Sequence, residues 1–271
     1  MSDFAYVPLE AKGWRMAMGL RPLDMDRWLE VDEHRGEELE LKRELLASKF
    51  DVVVATNPAG DEGSAELLAE ITAFLATHFP ELTTTTSALE HPIVASARLV
   101  QEDLCVLVRS DVWRLQAACV CFPSRWNLAS KLGATLDDIH RPVPSYDVEL
   151  SRPTNAFFER LKPERSFWRL NWTLIDNPTL HQPTSARHSP DGDLDNWFFR
   201  VERQTLRRLP LSDTIVFTIR NYVASARELC DAHAEFGATL LLNLDTAPDA
   251  MREYKGWRGV ADRLRESLSA T

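Results

Sequence analysis

Between Asn196 and Leu206 the side chains alternate with a period of two, the repeat of an extended strand. One face carries Phe198, Arg200, Glu202, Gln204 and Leu206; the other carries Phe199, Val201, Arg203 and Thr205. Ser166 to Ile175 obeys the same rule, with Arg169, Asn171 and Thr173 opposed to Trp168, Leu170, Trp172 and Leu174. In Thr214 to Asn221, Thr218 and Arg220 stand opposite Phe217 and Ile219, and Arg114 and Gln116 share one side of an earlier strand. Such alternation is how a solvated face of an antiparallel sheet is encoded. Two details point further. Phe198 and Leu206 share a face with Arg200, Glu202 and Gln204, so that face is amphipathic rather than plainly wet. The run Arg200-Val-Glu-Arg-Gln also gathers guanidinium, carboxylate and amide groups, as a concave ligand site does. Arginines there can pair bidentately with ligand carboxylates. A carboxylate in a partly apolar pocket can bind an ammonium group or act as a base.

The segments before and after these strands read differently. From Pro22 to Lys49, Trp28, Val31, Leu39, Leu41, Leu45 and Leu46 recur at helical spacing. Ser64 is a suitable N-cap for a helix whose apolar stripe runs from Leu67 to His78. Asp51 to Ala55 is a short β-branched run, Asn57-Pro-Ala-Gly is a turn, and Thr83 to Ser87 is a polar loop. Arg98 to Val108 and Asp111 to Phe122 flank a short turn and predict a hairpin. Trp126 to Gly133 predicts a short helix ending on glycine, and Arg141-Pro-Val-Pro an extended segment. A helix over Val148 to Arg160 follows. After the last strand, Tyr222 to Leu244 predicts a helix broken near Gly237, and Asp249 to Leu268 another. The loop from Asp176 to Asp195 is long enough to be a functional lid or edge loop. Helices, five strands of antiparallel type, then helices again make an α+β pattern. We divide one domain, 1–271, into a helical part (1–92), a sheet core (93–221) and C-terminal helices (222–271).

Composition removes several functions. A net charge of −10 and a pI near 5.2 argue against a nucleic-acid or anionic-membrane surface. No apolar run approaches the roughly 18 residues of a membrane helix, and the N-terminus lacks the pattern of a secretion signal, so a cytoplasmic protein is expected. Cys105, Cys119, Cys121 and Cys230 form no Cys-x-x-Cys, which disfavours zinc ribbons and covalently attached haem; small buried thiols are the expectation, with Cys119 and Cys121 on one face of a strand. Only ten glycines, and no glycine-rich phosphate loop, disfavour an internal nucleotide-binding domain. No His-x-x-x-His or carboxylate cluster supports a non-haem metal site. Among seven histidines, His34 lies in a charged segment, His78 and His233 on apolar helix faces, His91 before a proline and His188 in the long loop. His140 differs, because Ile139-His-Arg-Pro-Val-Pro holds it on stiff backbone, which a metal ligand needs.

Two blocks resemble the haem-dependent oxidative N-demethylases. The first is Cys121-Phe-Pro-Ser-Arg-Trp-Asn-Leu-Ala-Ser-Lys-Leu-Gly with Ile139-His-Arg-Pro-Val-Pro. The second is Phe199-Arg-Val-Glu-Arg-Gln-Thr-Leu-Arg-Arg-Leu-Pro continuing into Ile215-Val-Phe-Thr-Ile-Arg-Asn-Tyr. Met18-Gly-Leu-Arg-Pro-Leu, Trp28-Leu-Glu-Val-Asp, Arg169-Leu-Asn-Trp and Tyr254-Lys-Gly are weaker matches, and the similarity spans nearly the whole chain. The resemblance implies a PAS-like antiparallel sheet core that binds b-type haem, elaborated by helices at both ends. It implies oxidation of a small methylated amine, such as dimethylamine, with O2 to an imine that hydrolyses to formaldehyde. Electrons would come from NADPH through separate flavin and iron–sulfur components or reductase subunits. It makes His140 the proximal iron ligand, with His181 second, and Glu202, helped by Arg203, the partner or base for the amine. Arg200 and Arg220 become candidates for propionate pairing, and Trp126 and Gln204 for the haem pocket. A haem sensor or carrier without turnover, and an interaction protein that has lost haem, remain open.

Overall fold

The computed structural model describes residues 4, 6–82, 87, 89–184 and 194–269. The chain begins with a two-residue edge strand β1 (Arg21–Pro22) and a 3-10 turn (Met25–Arg27), then α1 (Arg35–Ser48) and α2 (Phe50–Val53). Strand β2 (Val54–Thr56) follows, so the β-branched run Asp51 to Ala55 is helical in its first half and strand only at its end. After a 3-10 turn at Pro58–Gly60 comes α3 (Asp61–His78). Ser64 is not its cap: it lies inside the helix and donates its hydroxyl to the Gly60 carbonyl at 2.7 Å. The helix starts earlier because Asp61 and Glu62 suit the positive end of its dipole. Next are α4 (Pro92–Ala97) and the expected hairpin, β3 (Asp103–Arg109) and β4 (Trp113–Cys119).

The connection that follows departs from expectation twice. Trp126 to Gly133 forms successive turns rather than a helix, closed by Lys131 N–H to Leu128 O at 2.8 Å and Ala134 N–H to Lys131 O at 3.0 Å. Gly133 does occupy the left-handed conformation (φ 75°). The helix forms one step later, as α5 (Leu136–His140), capped by the Thr135 hydroxyl, which accepts from Asp138 N–H. Arg141-Pro-Val-Pro then turns instead of extending, with Val143 N–H on the His140 carbonyl at 2.8 Å. Helices α6 (Tyr146–Glu149) and α7 (Ser151–Arg160) lead to the long strands β5 (Phe167–Ile175), β6 (Phe198–Arg208) and β7 (Ile215–Ser225). Strand β7 continues through Tyr222, where a helix was expected, because Tyr222 pairs with Val201 of β6. The C-terminal helices are α8 (Ala226–Ala232), α9 (Phe236–Thr246), α10 (Asp249–Lys255) and α11 (Val260–Ser269). The first break falls at residues 233–235, before Gly237, which sits inside α9; Gly256 (φ 75°) ends α10 and splits the last predicted helix. His188 and most of the Thr83 to Ser87 loop lie outside the described residues.

The strands form one open, wholly antiparallel sheet of seven, in the order β1-β5-β6-β7-β3-β4-β2. The two strands beyond the expected five are the short edges. One face is covered along its length. Helices α1, α3 and α4 bury Leu104, Val106, Ala117 and Val216, and α8, α9 and α11 bury Leu174, Phe199 and Val201. On the other face α5–α7 pack over Cys105, Leu107, Leu206 and Ile215 and reach β5, where the Phe157 and Phe167 ring centroids are 5.1 Å apart. Strand β5 is half-buried from Phe167 to Thr173, as is Glu202 of β6, while Arg200, Gln204 and Leu206 beside it are buried. What remains half-buried on that face is thus a strip, or trough, along β5 and Glu202. Cys119 and Cys121 are buried on one side as expected, with sulfurs 4.0 Å apart, and all four thiols are free. No helix among the described residues is long and apolar enough to cross a membrane.

Candidate functional site

Register decides which polar groups meet. Arg169 pairs with Gln204 across β5 and β6, Asn171 with Glu202, and Glu202 with Asn221 of β7, all on the open face. Asn171 and Gln204 both donate amide hydrogens to Glu202 Oε2, at 3.1 and 2.8 Å. The carboxylate is thus aimed by its neighbours, and its Oε1 has no hydrogen bond among the described residues. Arg200, on the same face, is 1 % exposed. It donates to Asn221 Oδ1 at 2.8 and 3.2 Å, to Phe122 O at 2.5 Å and to Leu180 O at 3.1 Å. These bonds satisfy a buried charge and tie two loops to the strand.

Arg203 and Arg220 have odd-face parity relative to Glu202 and lie on the helix-covered side. Arg203 Nε is 3.2 Å from Glu30, and its guanidinium also donates to the carbonyls of Arg27 and Trp28. Arg220 pairs with Asp32 at 2.6 Å and Glu38 at 2.8 Å. Tyr222 and Tyr6 both donate to Glu30 at 2.5 Å, and burial beside that carboxylate pushes Tyr6 up to about 12. The expected polar set is therefore split by the sheet. Arg200, Glu202 and Gln204 share the trough, while Arg203 and Arg220 fasten the N-terminal segment to its back.

His140 closes α5 at the covered end of the trough. Its ring stacks on Tyr146 (centroids 4.5 Å apart), and Nδ1 lies 2.8 Å from the Leu136 carbonyl, which fixes Nδ1 as the protonated nitrogen. Nε2 is left as an unprotonated lone pair. Burial lowers the His140 pKa, and the nearby Arg169 guanidinium lowers it further, so the ring is held neutral. Half-buried apolar side chains surround this end, among them Trp126, Ile139, Phe157, Phe167 and Phe217.

His181 is placed comparably but elsewhere. Its Nδ1 is 2.8 Å from the Cys121 carbonyl, and its Nε2 is buried without a partner among the described residues. It borders a cavity of about 150 Å³ with Arg125, Asp176 and Gln182, smaller than the pockets of roughly 300 Å³ and above that take organic ligands. Arg125, at φ 62°, sits in the left-handed region, held by an ion pair with Asp176 and by Gln182 through side chain and backbone. This pinned corner presents Leu180 O to Arg200. His91 caps α4 and meets Asp61 at 3.0 Å, and His78 stacks on Phe74, structural uses in both cases.

Two cations of the trough escaped the strand bookkeeping as site residues. Arg169 has its Nε buried without a hydrogen-bond acceptor among the described residues, and burial lowers its pKa against the pull of Glu202. Lys255 comes over the open edge of β5 from α10. Its Nζ donates to the Trp172 carbonyl at 2.9 Å and lies 5.5 Å from the Trp257 ring centroid. Burial pushes its pKa down to about 8, opposed by Glu202 and reinforced by Arg169. In the sequence Arg169 shares its strand face with Asn171 and Thr173 and sits in Arg169-Leu-Asn-Trp, whereas Lys255 is marked only by Tyr254-Lys-Gly.

An open antiparallel sheet with helices packed on it, one face sealed and the other carrying an oriented carboxylate, defines an α+β protein. Residues 19–265 match the haem-dependent oxidative N-demethylase, alpha subunit-like family, and the chain belongs to it. Membership points to an oxidoreductase that uses haem and works as the alpha subunit of a larger assembly. The residues fit such a group. A neutral imidazole with a fixed Nδ1–H and a free Nε2 is the donor that haem iron takes. The aromatic side chains beside it suit a flat macrocycle, and Arg169 offers an unmatched positive charge.

Proposed function

We propose that this chain is the haem-bearing part of an amine N-demethylase, with His140 as iron ligand and Glu202 as the group that meets the amine. On this reading the sheet core is PAS-like. The substrate is a small methylated amine of the dimethylamine kind, and O2 and electrons from NADPH, delivered through separate flavin and iron–sulfur components, drive its oxidation to formaldehyde and the demethylated amine. The observation that carries the reading is the neutral, carbonyl-locked His140, near enough to feel the Arg169 guanidinium, beside a sheet face whose Glu202 has one oxygen without a hydrogen bond among the described residues. His181 is the second choice for the iron.

When bound, the haem supplies O2 activation and accepts electrons. The protein's part is binding and proton handling. Leu136 O keeps the His140 proton on Nδ1, so Nε2 stays a donor of electrons rather than of hydrogen. Asn171 and Gln204 hold Glu202 through Oε2, which leaves Oε1 for an alkylammonium to donate to. Transfer of that proton to the carboxylate frees the nitrogen lone pair that oxidation needs. Gln204 orients the carboxylate, and Trp126 belongs to the apolar surround at the His140 end.

The test is the visible spectrum of protein produced with haem supply. Wild type is expected to show a Soret band, His140→Ala to lose or shift it, and Glu202→Gln to keep it while losing the spectral response to dimethylamine. A wild type that stays colourless after haem reconstitution overturns the proposal.

A further inference from the structure

Three of the chain's buried arginines are already matched. Arg200 is spent on carbonyls and Asn221, Arg203 on Glu30, and Arg220 on Asp32 and Glu38. The Nε atoms of Arg203 and Arg220 also lack a hydrogen-bond acceptor, yet each guanidinium has a carboxylate within ion-pair distance. Arg169, on the half-buried strand of the trough, has neither a side-chain hydrogen bond nor an ion pair among the described residues; its Nε is buried, and the carboxylate whose charge reaches it is Glu202. Glu202 Oε2 is in turn shared by Asn171 and Gln204. Lys255 adds a second cation at the same place, using one of its three ammonium hydrogens on Trp172 O. With His140 held neutral, two positive charges converge on one negative charge. A surplus charge withdrawn from water is costly unless a partner offsets it. A planar guanidinium beside a point-like ammonium matches the two oxygens of a carboxylate, one taken through the fork and the other by the point charge.

We infer that Arg169 and Lys255 form a carboxylate-binding pair beside Glu202. The carboxylate has two sources that share this chemistry. One is an acidic side chain of the macrocycle, which rests on the haem reading above. The other is the acid group of an N-methyl amino acid, whose ammonium would lie on Glu202 Oε1.

Wild type, Arg169→Gln and Lys255→Gln are titrated with haem and with haem dimethyl ester, following the Soret band. The same proteins, with and without haem, are then titrated with N-methylglycine and with dimethylamine, following tryptophan fluorescence, because Trp172 and Trp257 adjoin Lys255. Near-ultraviolet circular dichroism confirms that each variant is folded. If the macrocycle supplies the carboxylate, wild type prefers haem over its ester by about tenfold or more, and both variants lose that preference. If the substrate supplies it, all three proteins treat haem and ester alike, while N-methylglycine binding weakens by about tenfold in the variants and dimethylamine binding holds. Folded variants that match wild type toward all four ligands overturn the pair, and a haem-binding wild type in that result leaves the haem reading standing. A wild type that takes up no haem but binds N-methylglycine through these residues overturns the haem reading alone. Absence of all binding overturns both.

Discussion

At Lys255 a lysine's preference for water competes with the half-buried edge of a sheet. The ammonium lies over the Trp257 ring and donates to Trp172 O, so the charge is held where hydration is thin. Its folded pKa, pushed down to about 8, is below the ordinary lysine value. The folded state therefore binds this proton more weakly than the unfolded chain does. Below about pH 8 the full penalty acts, and it is relieved as pH rises from about 8 toward 10.4. The ligand-free wild type should gain up to about 3 kcal/mol across that window, whereas Lys255→Met, which keeps the apolar stem, should not. Urea unfolding of both proteins at pH 7, 9 and 10.5 measures the difference. Parallel pH dependences would show that the ammonium is hydrated after all.

At the scale of elements, α3 is pressed against β3 and the β6–β7 turn at a glycine. A methyl group added at Gly63 would lie 2.6 and 2.7 Å from Thr214 side-chain atoms and 2.9 Å from Val106 Cγ1. Alanine is the better helix former by about 1 kcal/mol, but forcing a methyl into a packed contact costs roughly 1–3 kcal/mol. Overpacking should win, because Thr214 and Val106 are both buried. Gly63→Ala is expected to lower the urea midpoint by an amount equivalent to about 1 kcal/mol or more; an unchanged or raised midpoint would mean that α3 can slide. The same contact keeps Glu66 on the backbone N–H groups of Leu211 and Ser212, at 2.9 and 2.7 Å. One helix thus sets both the sheet's back layer and the turn that brings β7 beside β6.

At the scale of the whole molecule, the N-terminal segment acts as a strap across the sealed face. Glu30, Asp32 and Glu38 engage Arg203 and Arg220, while Lys42 donates to the carbonyls of Val100 and Glu102. Buried ion pairs add little net stability, but removing one partner strands the other charge, typically at about 3–5 kcal/mol. Arg220→Met should destabilise by that order, with Asp32 and Glu38 left facing each other. Glu38→Gln should cost less, because Asp32 still pairs with Arg220. Guanidinium unfolding of the two variants checks the ranking. Because this strap is shared with the sheet, we expect one cooperative unfolding transition for the entire chain, and no stable fold for residues 93–221 alone. Separate calorimetric transitions would contradict that expectation.

Much of this architecture is legible in the sequence. Period two located β5, β6, β7 and the β3–β4 hairpin, since burying one side of a strand writes itself directly into alternate residues. The stripe from Leu67 to His78 located α3 for the corresponding reason. The weaker readings were those that depend on competition between local preferences. Trp126 to Gly133 has helical composition, yet Ser130 bonds back to Asn127 O and the chain turns. Arg141 precedes a proline but stays helical in conformation, with φ −48° and ψ −36°. The polar set of the site was legible only in part. Parity assigned Arg200, Glu202 and Gln204 to one face and Arg203 to the other, but which face would be sealed depends on where the helices dock. Arg220 joined the sealed side through the register of β6 against β7, which pairs it with Arg203. His140 stood out by its rigid setting, whereas its free Nε2 follows from the Leu136 carbonyl one helical turn earlier. Arg169 and Lys255 are separated by most of the C-terminal half and meet only because α10 folds over the edge of β5. The sequence by itself thus determined strands, faces and candidate groups, because those follow from local periodicity. Only the tertiary structure decided which charges are neutralised and which remain for a ligand, because that depends on partners distant in the chain and on the water their packing excludes.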